Sequence, residues 1–293
     1  MKAPAIEWSS WRPLPGASVN REIPRSPGLY RIRRVGHLDL DYIGQTGRGL
    51  RQRLAGLRGV YDEQMPYRDP HTAAPALWAL RHAGGCDFEV STAAIDGSTH
   101  WRKGMEALAI AEYRAVHGAS PTIEFGRMPP GYRPSSPNNA LLVKLGKRVR
   151  GGACEDSNLP CHAVGVPPAG PLIGSPQSPE WNNHHWSEWM SREDLKLAKL
   201  LGGAGLYRIR GDEQDSLLYI GQGIVPGRPL AHIAKIGTPW RPQGVIFGSA
   251  SRLECSWVLN GEWLPHHRLE LKNDLIAAHM IATGDVPRAQ FRG

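Results

Sequence analysis

The chain has 293 residues, 35 Lys and Arg against 27 Asp and Glu, a formal charge of +8, and 41% hydrophobic residues. Its length fits two domains of moderate size, and its apolar share excludes global disorder. No apolar run approaches the roughly 20 residues that a membrane-spanning helix needs. The excess of positive charge points to a polyanionic partner. The stretch MKAPAIEWSSWRP lacks the apolar core of a secretory signal, so a cytoplasmic protein with no membrane partner is expected.

WSSW at Trp8–Trp11 opens the readable part of the chain; these tryptophans are expected to pack the start of a folded unit. GLYRIR at Gly28–Arg33 alternates as a strand does, with Tyr30 and Ile32 on one face and Leu29 and Arg31 on the other. A polar turn around Gly36–Asp39 leads to a second strand, LDYIG, which makes a hairpin. LRQRLAGL carries Leu50, Leu54 and Leu57 at helical spacing, and TAAPALWALRHAGG reads as a second helix closed by glycines. CDFEVSTAAI is a third strand, and MEALAIAEYRAV a third helix. His71 sits where the second helix begins, and its expected role there is capping or packing.

From Phe125 to Cys154 there is no acidic residue, while Arg127, Arg133, Lys144, Lys147, Arg148 and Arg150 are cationic. Such a block suits contact with a phosphate backbone. It lies in a segment dense in Pro, Gly, Ser and Asn that reads as linker or extended wrap. Cys154 and Cys161, with His162 beside them and His184–His185 downstream, lack the spacing of a compact zinc knuckle. Reduced thiols are the expectation for all four cysteines.

Beyond the linker the pattern repeats. WSEW (Trp186–Trp189), GLYRIR (Gly205–Arg210) and YIGQ (Tyr219–Gln222) echo the first copy in order, and LELKNDLIAAHMIATGDVPRAQF echoes the late helix and its proline. The expected domains are therefore 1–127, a basic linker over 128–185, and 186–293. The fold class is α/β, each domain a small three-stranded antiparallel sheet flanked by helices.

GLY, then YIG, then LRQRL on a helix and a glutamate on a later helix together resemble the GIY-YIG nucleases. YIGQTGRGLRQRL and YRAVHGASPTIEFGR are most similar to the restriction-endonuclease-type branch. The resemblance covers most of each repeat and implies a DNA endonuclease using Mg²⁺ or Mn²⁺. It implies that Tyr30 orients or deprotonates the attacking water with Tyr42 beside it, that Arg53 stabilises the phosphorane-like transition state, and that Glu106 binds the metal. A tyrosine of reference pKa about 10 needs a nearby cation to act as a base at neutral pH. A forked guanidinium suits the charge that develops on phosphorus oxygens. Gly44 would let the backbone approach a phosphate. Arg51 remains an alternative to Arg53, and Glu112 with Arg114 an alternative to Glu106. Where family members commonly carry an asparagine near the end of the Glu helix, this chain has Glu124.

The second copy keeps Tyr207, Tyr219 and Gly221 but loses the charges around them. Aligning Leu230 with Leu54 puts Pro229 at the position of Arg53, with Arg228 adjacent. Aligning Pro287 with Pro121 puts Lys272 at the position of Glu106. Glu270 would reach that place only if the helix turned by about 200° at ~100° per residue. The expected division of labour is a first domain that cuts, in restriction or anti-phage defence, and a second that binds DNA or mimics a second subunit. Double-strand cleavage would then need a homodimer or sequential nicking. The alternative is a non-catalytic protein that reads DNA structure or modified bases.

Overall fold

The computed structural model describes residues 5–66, 73–132, 163–197, 202–213 and 215–292. The chain divides into two compact units. One is Ala5–Arg102 with the segment that starts at Ala119; the other is Lys103–Gly118 with the chain from Val166.

The first unit holds a four-stranded antiparallel sheet of β1 (Arg12–Pro13), β2 (Gly28–Arg34), β3 (Tyr42–Thr46) and β4 (Phe88–Ala94), in the order β1-β4-β2-β3. The expected hairpin and third strand are there. The fourth strand is a two-residue edge piece, too short to show a period in sequence, that pairs Arg12 with Val90. Pro13 fits there because an edge strand leaves its outer side without ladder partners. Tyr30 lies opposite Gly44 and Ile32 opposite Tyr42, so the two tyrosines share a face as diagonal neighbours. Helices α1 (Leu50–Ala55) and α2 (Ala74–Gly84) close over that face. Leu50, Leu54, Leu57, Leu77, Phe88 and Val90 are buried around the rings. Gly85, with φ 61, ends α2 and donates its N–H to the Arg81 carbonyl.

The second unit repeats the plan with β5 (Met190–Ser191), β6 (Gly203–Arg210), β7 (Tyr219–Val225) and β8 (Glu254–Leu259), ordered β5-β8-β6-β7. Tyr207 faces Gly221 and Ile209 faces Tyr219, the same register as in the first sheet. Around it stand α4 (Arg192–Leu197), α5 (Gly227–Ile233), α6 (Pro242–Gly248) and α7 (Pro265–Thr283). The expected linker is packed at both of its described ends: Met128 and Tyr132 are buried in the core of the first unit, and Arg208 of the second sheet donates to the carbonyls of Pro176 and Ser178.

The opposite face of each sheet carries a matching cluster. Arg31 lies over the rings of Trp8 and Trp11, and Arg208 over Trp186 and Trp189. Each guanidinium also reaches a serine on the third long strand, Ser91 or Ser256. The tryptophans therefore hold the entry of each repeat to its own sheet through cation–π contacts, worth roughly 0.5–2 kcal/mol apiece.

Helix α3 (Thr99–His117) begins in the first unit, and from Lys103 onward it groups with the second. There it packs on α7. Gly104 is crowded by Val286 and Met280, and Arg114 is bidentate on Asp274 at 2.8 and 3.0 Å with Glu270 at 3.7 Å. Asn273 donates to the Ala107 carbonyl at 2.9 Å. With Pro121 matched to Pro287, position 104 corresponds to 270, 107 to 273 and 114 to 280. The contacts are thus reciprocal, as in an isologous interface.

Candidate active site and its counterpart

Three of the four residues expected to act on a phosphate lie in the first unit, and the hairpin together with α1 brings them together. The Tyr30 and Tyr42 rings have centroids 6.0 Å apart, and Arg53 donates from Nε to the Tyr30 hydroxyl at 3.3 Å. Tyr30 and Tyr42 are buried, while Arg53 is partly exposed. The guanidinium therefore caps the tyrosine pair and carries its charge toward the surface.

Gly44 has a local reason to be glycine. A Cβ there would stand 2.5 Å from the Tyr30 hydroxyl and 2.6 Å from Tyr42 Cε1. Both rings lie across the space a side chain would fill. Gly221 plays the same part under Tyr207, whose ring carbon would be 2.1 Å away.

The two arginines of α1 separate cleanly. Arg51 turns away from the tyrosines and donates to the carbonyls of Ile23 and Arg21, both at 2.6 Å. It also lines a cleft of about 510 Å³ with Arg21, Arg25 and Gln52. Arg21 and Arg25 did not stand out in the sequence. Their only signal is basic residues spaced through the loop before β2.

Glu106 is half-buried on α3, in the part of that helix that groups with the second unit. Its alternatives divide: Glu112 is exposed, and Arg114 is fully buried in its pair with Asp274. Glu124 has a structural task, since its carboxylate accepts the Ile43 backbone N–H at 2.8 Å. Gln290 does the same for Ile220 at 3.0 Å. Of the cationic block, Arg127 donates to the carbonyls of Ser120 (2.8 Å) and Pro121. Arg133, Lys144, Lys147, Arg148 and Arg150 lie outside the described residues, as do His71, Cys154, Cys161 and His162. Cys86 and Cys255 are free thiols, and burial pushes both upward in pKa. Among the described residues no three His, Cys, Asp or Glu side chains gather as a metal cage, and no helix is long and apolar enough to cross a membrane.

In the counterpart, Tyr207 and Tyr219 are again 6.0 Å apart. Pro229 is buried in α5 where the alignment places the arginine, and Arg228 beside it is exposed. Glu270 faces Arg114 and accepts the Val166 N–H at 2.8 Å; it is committed to the α3–α7 pair. Burial, with Arg228 nearby, pushes Lys272 down to about 8. Burial also raises the pKa of both tyrosines.

Compared with protein-family models, curated proteins and solved structures, the chain matches none.

Proposed function

We propose that the first repeat is a GIY-YIG-like endonuclease site that hydrolyses DNA phosphodiesters with Mg²⁺ or Mn²⁺, and that the second repeat contributes DNA binding. The observation that carries this reading is the Arg53 hydrogen bond to Tyr30, with Tyr42 alongside. A phosphate that reaches this face meets the guanidinium first, whose fork matches two of its oxygens. A tyrosine that serves as a base for water needs such a cation beside its hydroxyl.

Glu106 is the carboxylate proposed to hold the metal. One half-buried carboxylate fits Mg²⁺, which keeps most of its water shell and seldom uses an all-protein cage. When bound, the ion would supply charge neutralisation at the phosphate and leaving oxygens. Arg21, Arg25 and Arg51 in the neighbouring cleft suit backbone phosphates. Action in restriction or anti-phage defence belongs to the same proposal and rests on the resemblance alone.

Supercoiled plasmid incubated with Mg²⁺ tests it. Wild-type protein should nick, Arg53→Ala should lower the rate about 10²–10³-fold, and Tyr30→Phe should do so while keeping the ring packed. Glu106→Ala should leave the plasmid intact. Undiminished cutting by Glu106→Ala and Arg53→Ala would remove the assignment. Metal-independent, salt-sensitive binding without cleavage would instead support a non-catalytic reader of DNA.

A further inference from the structure

The second repeat keeps the tyrosine face yet surrounds it with positive charge that no carboxylate among the described residues balances. Tyr219 lies tilted against His232, with ring centroids 4.5 Å apart, and Tyr207 lies 6.1 Å from the same ring. The two tyrosine rings have centroids 6.0 Å apart. Arg228 runs along β7, its Cγ so close to Gly223 that a Cβ there would be 2.9 Å away. From this position it acts electrostatically on both tyrosines, on His232, on Lys235 and on Lys272.

The charges that bear most on His232 are cationic: Lys235, Arg228 and Lys272. His232 is only 7% exposed; its Nδ1 pairs with Gln243 at 2.8 Å, and its Nε2 is buried with no hydrogen-bond partner among the described residues. The nearest acids of α7 are committed elsewhere, since Glu270 and Asp274 both face Arg114. Arg228 is exposed, and Lys272 and Tyr219 are half-buried, so the cluster opens to solvent. Cations held this close to one another attract an anion. A guanidinium, an ammonium and tyrosine hydroxyls are the donors a phosphate oxygen accepts. A lysine where the first repeat has Glu106 also repels a divalent ion.

We propose that the tyrosine face of the second repeat is a metal-free phosphate-binding site, with Arg228 and Lys272 as the charged ligands and Tyr219 as a hydroxyl donor, and that it holds a DNA backbone phosphate. It rests on the part of the proposed function that gives DNA binding to the second repeat, and does not require the first repeat to cut.

The test is anisotropy of a labelled DNA duplex titrated with the full chain in EDTA, over a range of salt. Arg228→Ala and Lys272→Met should each weaken binding roughly tenfold and lower the slope of log K against log salt by about one. Lys272→Arg should restore both, and Arg192→Ala, an exposed change on α4, should leave both unchanged. Inorganic phosphate alone, read by the Tyr219 ring resonances, should perturb wild type and neither charge-removing variant. If phosphate perturbs Tyr219 while duplex affinity ignores both substitutions, the site takes free phosphate and not the DNA backbone. If neither probe responds to Arg228 or Lys272, the inference is overturned. Absence of nicking with weakened variant binding would sink the hydrolase reading and leave this one standing; nicking with unaltered binding would do the reverse.

Discussion

At the scale of single residues, identity matters most where two rings must share one small space. Gly44→Ala would drive a methyl to 2.5 Å from the Tyr30 hydroxyl. The ring must move, at a cost of about 1–3 kcal/mol, and in doing so it leaves Arg53. Urea unfolding should show the loss, and plasmid nicking should fall with it. Gly221→Ala should cost similar stability yet spare nicking if the second repeat does not hydrolyse. Two arginines of one short helix show how little a residue's type decides. Arg53 meets a tyrosine hydroxyl, whereas Arg51 ties two loop carbonyls to the helix. Both are Arg on a helix in sequence, and only the angle of α1 to the hairpin sorts them.

At the scale of elements, each hairpin is locked from outside by the segment after its last helix. Glu124 accepts the Ile43 N–H, and Gln290 accepts the Ile220 N–H. Because an amide oxygen serves as well as a carboxylate in the second copy, Glu124→Gln should be tolerated in denaturant unfolding. Glu124→Ala should lose about 1–3 kcal/mol, the penalty for a buried donor without a partner. A melting curve for Glu124→Gln as low as that for Glu124→Ala would show that the charge, and not the hydrogen bond, is what matters. The strands and helices themselves were legible: alternation placed β2, β3 and β4, and leucine spacing placed α1. The edge strands β1 and β5 were not, because two residues carry no period.

For the molecule as a whole, buried ionisable groups set the response to mutation and acid. Arg114 neutralises Asp274 and Glu270 in the α3–α7 pair. Arg114→Met would leave two carboxylates buried without a cation and should cost about 3–5 kcal/mol in chemical denaturation. The histidines govern pH dependence. Burial pushes His184 and His279 down to about 4, and His279 stays neutral by accepting the Leu217 N–H at 3.0 Å. With folded pKa values below the unfolded one, they contribute stability above about pH 6.5. That contribution is lost as pH falls toward 4, because only the unfolded chain takes up the protons. Asp274 works the other way: burial raises it to about 6, so its effect favours the fold on acidification. His232, lowered by burial, acts with these histidines, while Asp41 and Glu112, raised by burial, act with Asp274. His184 and His279 are displaced furthest, so the urea midpoint should drop between about pH 6.5 and 4. The drop should shrink in His279→Gln relative to its own value at neutral pH. A midpoint flat across this range would contradict neutral burial of the histidines.

Sequence alone determined the repeat, the two hairpins and the pairing of tyrosines on one face of each, because strand alternation and self-similarity are local properties written along the chain. It also showed that Arg53 and Glu106 have no like-charged counterparts in the second copy, since alignment needs no coordinates. The tertiary structure decided what depends on direction. It chose Arg53 over Arg51 as the tyrosines' neighbour, turned Glu124 and Gln290 into locks on the hairpins, and put Arg31 and Arg208 over paired tryptophans. It also brought Arg228 and His232 of one helix and Lys272 of another around a second tyrosine pair. Side chains from separate elements meet only through the angles at which those elements pack, and no spacing in the chain records such an angle.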